Sequence, residues 1–80
     1  MIELTLYSRP DCHLCEQMEE ELTPLLQGRA QVRVVDISQN LELKRRYGLR
    51  IPVLSAGDDE LSVYRLDIPR IEHFLAARNR

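Results

Sequence analysis

The spacing of the apolar residues changes twice within the first 36 residues, and this pattern constrains the fold more than any other feature. Residues 2–7 alternate between apolar and polar side chains, as in a strand with one buried face. Residues 13–27 place apolar side chains at helical spacing, and residues 31–36 form a β-branched strand. A strand–helix–strand unit requires parallel strands and a right-handed crossover. The sequence therefore predicts an α/β fold.

Glycine, proline and serine mark the expected ends of the first two helices. Gly28 is a natural stop for the first helix. Pro24 lies inside that helix and removes a backbone hydrogen bond, so we expect it to kink or end the helix there. A second helix is expected over about residues 39–47, with Ser38 as its N-cap and Gly48 as its stop.

The last third of the chain predicts a β-hairpin followed by a helix. Residues 52–55 and 60–64 are expected to be strands on either side of a polar turn. Asp67 is placed to cap the last helix. The apolar stripe of that helix consists of Ile68, Ile71, Phe74 and Leu75. The residues assigned to the core along the chain include Leu26, Val34, Leu54, Phe74 and Leu75.

The complete order of elements is β-α-β-α-β-β-α. Because the first two strands are parallel and the hairpin is antiparallel, this order predicts a mixed four-stranded sheet flanked by three helices. The chain has no internal repeat, linker or low-complexity segment. We therefore expect residues 1–80 to form a single domain.

Composition narrows the classes of partner. Eleven Lys and Arg stand against thirteen Asp and Glu, so we expect no nucleic-acid partner. No apolar run approaches the ~18 residues of a membrane span, and the N-terminus lacks the regions of a signal peptide. We expect a cytoplasmic monomer without membrane attachment. The basic run at residues 44–46 is interpreted as a solvated helix face.

Both cysteines of the chain lie in one motif, Cys12-His13-Leu14-Cys15, where the loop after the first strand meets the first helix. Unpaired backbone N–H groups and the dipole at a helix N-terminus favour an anion, which would lower the pKa of the Cys12 thiol. Cys15 lies about one helical turn further on the same face. Such a pair can carry out thiol–disulfide exchange, in which Cys12 attacks a disulfide and Cys15 resolves the mixed disulfide.

Other uses of the cysteine pair remain open at this point. The cysteines could be small apolar core residues. A structural zinc site needs two further ligands, and the chain offers His13 and His73 besides the cysteines. A haem attachment motif needs His directly after the second cysteine, where Glu16 stands. The main alternative function is a non-catalytic module that binds a partner, or a metal or iron–sulfur centre between subunits.

Three residues beside Cys12 could modify its chemistry. Arg9 is close enough to hold a thiolate or a substrate carboxylate, although a solvated surface role explains it equally well. A cationic His13 would lower the pKa of the thiol, although His13 could equally face solvent as a spectator. Asp11 would oppose thiolate formation, and we expect it to cap the helix instead.

Pro52 provides a second signal, because it opens the predicted third strand. Proline has no N–H and is typical of a strand start, an edge or a bend. The local sequence allows either a trans or a cis bond between Ile51 and Pro52. A cis bond would present the backbone N–H and C=O of Ile51 to an extended peptide.

Together these signals resemble the thioredoxin superfamily over essentially the whole chain. Residues 7–15 are most similar to glutaredoxins, particularly to small bacterial glutaredoxin-like proteins with a Cys-His-Leu-Cys motif. The resemblance implies a thioredoxin-like fold, with Cys12 as the nucleophile and Cys15 as the resolving thiol. It also implies a cis Ile51–Pro52 bond packed against the cysteines. The implied partner is a disulfide-containing protein or a glutathione mixed disulfide, and no bound cofactor is implied.

The chain departs from glutaredoxins where those proteins bind glutathione. Glutaredoxins usually carry Pro after the first cysteine and an aromatic residue before the second, where this chain has His13 and Leu14. They also carry a Gly-Gly pair before a helix-capping Asp, whereas residues 64–66 here are Tyr, Arg and Leu before Asp67. Glutathione as the reductant is therefore left open. The expected substrate-binding residues are Arg9, His13, Ile51, Pro52 and Asp67.

Overall fold

The computed structural model describes residues 2–78 and confirms the predicted order of strands and helices. Every predicted strand boundary lies within one residue of the observed one. Within the described residues, no helix is both long and apolar enough to cross a membrane. The elements are β1 (Ile2–Ser8), α1 (His13–Leu26), β2 (Ala30–Asp36), α2 (Leu41–Tyr47), β3 (Val53–Ala56), β4 (Asp59–Val63) and α3 (Ile68–Arg78).

The strands form a mixed four-stranded sheet in the order β2-β1-β3-β4, as predicted. β1 runs parallel to β2, and β3 runs antiparallel to both β1 and β4. The carboxyl end of β1 therefore lies beside the start of β3, where Tyr7 pairs with Val53. This register brings the loop after β1 and the loop before β3 to the same end of the sheet.

Alternation of side chains along β1 divides the buried residues into two clusters. Leu4 and Leu6 are fully buried in the larger cluster, together with side chains of α1 and α3. Tyr7 packs instead against a smaller cluster, which contains Tyr47 of α2 and Cys15 of α1. The smaller cluster is the one that surrounds the cysteine motif, so the packing of α2 bears directly on the candidate site.

The start of α2 differs from the prediction. Residues 37–39 form a 3-10 turn, and Asn40 is the N-cap of α2, because its side-chain oxygen accepts a hydrogen bond of 3.0 Å from the Leu43 N–H. Ser38 is not a cap. Its backbone N–H donates instead to the Asp36 side chain at 2.8 Å, so Asp36 caps the turn. The predicted Ser38 cap was therefore wrong by two positions.

Pro24 does not end α1, which continues to Leu26. The proline lies in the last turn of the helix, where one lost hydrogen bond is tolerated because Leu22 and Leu26 are buried on either side of it. Gly28 lies just beyond the helix with φ of +75°, a left-handed conformation that suits glycine. The predicted glycine stop is confirmed, and of the two outcomes expected for Pro24, a kink or an end, the end does not occur.

One predicted core residue, Val34, and one residue of the predicted apolar stripe, Ile68, are exposed. Val34 is 43% exposed because β2 is an edge strand with a neighbouring strand on one side only. Ile68 is 49% exposed at the first residue of α3, and Phe74 is only partly buried against the core. The predicted core positions that are confirmed as buried are Leu26, Leu54, Ile71 and Leu75.

The Asn40→Ala substitution should lower the free energy of unfolding by about 1 kcal/mol, because the Leu43 N–H loses its acceptor. The matched Ser38→Ala substitution should change it by less than about 0.5 kcal/mol, because alanine keeps the backbone N–H that bonds to Asp36. Urea unfolding followed by circular dichroism measures both values. Equal losses in the two variants would contradict the observed cap.

Candidate active site

Cys12 lies at the start of α1, as predicted, and is the N-cap residue of this helix. Its backbone is extended, with φ of −108° and ψ of 105°, and its sulfur accepts a hydrogen bond of 3.2 Å from the Cys15 N–H. Its carbonyl accepts the first helical hydrogen bond, 3.0 Å from the Glu16 N–H. The sulfur therefore occupies the place where capping oxygens usually lie, at the positive end of the helix dipole.

Cys12 and Cys15 are joined by a disulfide, with their Cα atoms 5.2 Å apart. Cys15 is 2% exposed and belongs to the smaller buried cluster, whereas Cys12 is only partly buried at the rim of that cluster. An incoming group can therefore approach Cys12 more easily than Cys15. Within residues 2–78, no three His, Cys, Asp or Glu side chains are grouped so as to hold a metal ion.

The residues that flank Cys12 are exposed. Arg9 and His13 both lie on the surface beside the motif, and neither side chain has a hydrogen bond or ion pair with another described residue. Asp11 does not cap α1 as expected, because Cys12 itself supplies the capping atom. Asp11 instead has φ of +60°, a left-handed conformation that Asp tolerates, and it turns the chain into the helix.

The loop before β3 meets the cysteine motif through the smaller cluster. The Ile51–Pro52 peptide bond is cis, as the resemblance implies, and both residues are buried. Ile51 packs in the same cluster as Cys15 and Val53. The Pro52 carbonyl accepts a hydrogen bond of 2.9 Å from the Tyr64 N–H. The N–H and C=O of Ile51 have no hydrogen-bond partner within the described part of the chain.

A pair of stacked tyrosines supports this cluster. The rings of Tyr7 and Tyr47 have centroids 4.0 Å apart with an interplanar angle of 16°. Tyr47 is 2% exposed, and this burial raises the pKa of its hydroxyl, with the neighbouring Tyr7 hydroxyl as a second cause. No local pattern in the sequence indicates Tyr47 as the packing partner of Tyr7.

Arg50 is a further residue beside the site that sequence analysis missed. It donates to both carboxylate oxygens of Glu60, at 2.6 and 3.0 Å, and to the Arg46 carbonyl at 3.0 Å. These hydrogen bonds hold the pKa of Glu60 below its usual range, although partial burial opposes the shift. The partners come from α2 and β4, and no spacing pattern in the sequence connects them.

Asp67 caps α3, as predicted, and accepts a hydrogen bond of 3.1 Å from the Arg70 N–H. Its own N–H donates to the Ser62 hydroxyl at 2.9 Å. No hydrogen bond joins Asp67 to the cysteine motif within the described residues. The structure therefore places Ile51 in the same buried cluster as Cys15, and Asp67 caps α3.

The Tyr-Arg-Leu segment before Asp67 borders a groove of about 310 Å³ beside the motif. Tyr64 has φ of +70°, and its hydroxyl donates to the Leu49 carbonyl at 2.6 Å. Three of the lining side chains, Leu14, Tyr64 and Ile68, are large apolar residues that are more than 40% exposed. Bulky side chains thus occupy the segment where glutaredoxins carry two glycines.

A Cys-x-x-Cys disulfide at the start of the first helix, in a mixed sheet of this order, defines a thioredoxin-like fold with a dithiol motif. The sequence model of the glutaredoxin-like domain (DUF836) matches residues 3–76. The chain belongs to this glutaredoxin-like family. No curated protein matches it.

Solved structures agree with this assignment. The X-ray structure of target protein XcR50 from X. campestris is 37% identical, with a TM-score of 0.69, over 92% of this chain and 96% of that one. The solution structure of XcR50 is 39% identical, with a TM-score of 0.70, over 92% of each chain. A mutant thioredoxin from Halobacterium salinarum NRC-1 is 21% identical, with a TM-score of 0.62, over 98% of this chain and 74% of that one. The last similarity shows the fold alone.

In the reduced protein, iodoacetamide should modify Cys12 much faster than Cys15, because Cys15 is 2% exposed. The alkylation pKa of Cys12 should lie below the ~8.5 of a free thiol, because the thiolate lies at the helix N-terminus. Peptide mass spectrometry after timed alkylation between neutral and alkaline pH measures both quantities. Equal rates at the two cysteines, or an alkylation pKa at the free value, would contradict this account.

The Glu60→Gln substitution tests the pH dependence of the ion pair with Arg50. A carboxylate whose pKa is lowered by folding stabilises the fold above its unfolded pKa and loses that contribution as the pH falls through the folded pKa. The Tm difference between wild type and variant should therefore be largest above about pH 5 and shrink toward about pH 3. Calorimetry across this range measures it, and a difference independent of pH would oppose the assignment.

Proposed function

We propose that this protein is a thiol–disulfide oxidoreductase that reduces disulfides through Cys12, with Cys15 as the resolving thiol. The observation that carries the proposal is the disulfide at the start of α1, in which one sulfur is accessible and the other is buried. The accessible sulfur suits attack on a partner. The buried sulfur suits the intramolecular step, since only Cys12 has to reach it.

The proposed reaction balances as a two-electron exchange. The Cys12 thiolate bonds to one sulfur of the substrate disulfide, and the other substrate sulfur leaves as a thiolate. Cys15 then loses its proton and attacks the Cys12 sulfur, which releases the second substrate thiolate. The substrate is reduced, and the protein ends with the Cys12–Cys15 disulfide. An external thiol must reduce this disulfide before the next turnover.

The surroundings of Cys12 support its role as the nucleophile. The Cys15 N–H donates to the Cys12 sulfur, and the same contact would stabilise a thiolate there. Arg9 is proposed to add positive charge and His13 to offer a hydrogen bond beside an incoming substrate, because both are exposed next to Cys12. The unpaired N–H and C=O of Ile51, held by the buried Pro52, are proposed to pair with an extended substrate chain.

Protein disulfides are proposed as the substrates, and glutathione as a reductant without a dedicated binding site. The N–H of Asp67 is already bonded to Ser62, and bulky side chains border the groove next to it. Both features disfavour a small carboxylate ligand at this helix start. The protein is proposed to act as a cytoplasmic monomer, since a reducing compartment supplies thiols that regenerate the dithiol and both cysteines belong to one chain.

The Cys12→Ser substitution should abolish reduction of a peptide disulfide, and Cys15→Ser should trap a mixed disulfide with the peptide. Mass spectrometry of the trapped adduct and a coupled assay of thiol release measure these outcomes. Assays with glutathione plus glutathione reductase, and separately with a thioredoxin reductase system, identify the reductant. Full activity in Cys12→Ser would refute the mechanism. Metal bound between two copies of the chain would favour the non-catalytic alternative.

A further inference from the structure

Several contacts hold the loop that carries Ile51, and three of its hydrogen bonds come from the side chain of Arg50. Arg50 makes a two-pronged contact with the Glu60 carboxylate, donates to the Arg46 carbonyl, and lies 5.5 Å from the centroid of the Tyr47 ring. Arg46 and Tyr47 belong to α2, and Glu60 belongs to β4. Arg50, which directly precedes Ile51, thus links α2 to β4.

The backbone of Ile51 needs such support, because it lies outside the sheet. Its N–H and C=O have no partner within residues 2–78, and β3 begins two residues later at Val53. On the C-terminal side of Ile51, the Pro52 carbonyl accepts a hydrogen bond of 2.9 Å from the Tyr64 N–H. On the N-terminal side of Ile51, the Arg50 side chain contacts α2 and β4. These two anchors flank the Ile51 peptide groups on either side, while the Ile51 side chain packs in the smaller cluster.

The contact between Arg50 and Glu60 is suited to fixing geometry. The two side chains are 38% and 30% exposed, so the pair is partly shielded from water and screened less than a surface ion pair. A guanidinium presents parallel N–H groups that match both carboxylate oxygens, which limits rotation of either side chain. Lysine would keep the charge but could not make this paired contact.

We propose that Arg50 is a positioning residue for disulfide exchange at Cys12, an inference that rests on the proposed function. Its contact with Glu60 holds the peptide groups of Ile51 in the orientation that an extended disulfide-bearing polypeptide pairs with. Arg50 takes no part in the sulfur exchange and transfers neither proton nor electron. Its influence is therefore confined to substrates that pair with the backbone, and it does not extend to small reagents that attack the Cys12 sulfur directly.

The chain contains a matched control for this role. Arg29 makes the same two-pronged contact with Glu72, and it also donates to the carbonyl four residues earlier, that of Leu25, at 3.3 Å. The side chains of Arg29 and Glu72 are 35% and 45% exposed, similar to the pair beside the site. This contact joins the end of α1 to α3, away from the cysteine motif. Arg29→Lys thus removes an equivalent contact without touching the loop of Ile51.

The test compares reduction of a peptide disulfide with alkylation of Cys12 by iodoacetamide. Arg50→Lys should lower kcat/KM for the peptide about tenfold or more, mainly through KM, because small misplacements of a binding group are costly. Its Cys12 alkylation rate should match that of wild type. Glu60→Gln should lower kcat/KM in the same way, and the double variant should be no worse than Arg50→Lys, because both changes remove one contact.

Arg29→Lys should lose as much Tm as Arg50→Lys but keep the wild-type kcat/KM. Wild-type kcat/KM in Arg50→Lys would overturn the inference. A parallel fall in alkylation, or an equal loss of kcat/KM in Arg29→Lys, would also overturn it, since each indicates general destabilisation. A wild-type protein without Cys12-dependent reduction would overturn the proposed function and this inference together, so the wild-type assay distinguishes the two failures.

Discussion

The antiparallel pairing of β1 with β3 is the contact on which the rest of the site depends. Tyr7, near the end of β1, pairs with Val53 at the start of β3. The loop that leads to Cys12 and the loop that carries Ile51 therefore emerge side by side from the sheet. Without this register, the dithiol motif would lie at a helix start with no neighbouring backbone for a substrate to meet.

The chemical difference between the two cysteines comes from two levels of structure. The helix start gives Cys12 a capping position and the hydrogen bond from the Cys15 N–H. Tertiary packing then buries Cys15 against Tyr47 and Ile51 and leaves Cys12 at the rim. Because the two sulfurs are only one helical turn apart, the small difference in depth decides which of them a partner can reach.

Local chemistry predicted much of the fold and the centre of the site. Cys12 at the helix start, Asp67 as the cap of α3 and Gly28 after α1 all follow from properties of single residues and their neighbours. Ser38 failed as a cap because Asn40 two residues later can do the same, and local sequence does not rank the two. Val34 failed as a core residue because its exposure depends on β2 being an edge strand.

By itself, the sequence determined the order of elements, the dithiol motif and the proline that opens the third strand, because each depends on short-range spacing and on the chemistry of individual residues. Only the tertiary structure decided which sulfur is accessible, that Tyr7 stacks on Tyr47, and that Arg50 reaches Glu60. These contacts join residues on different elements. They exist because the sheet order and helix packing bring those elements together, and no local pattern encodes that juxtaposition.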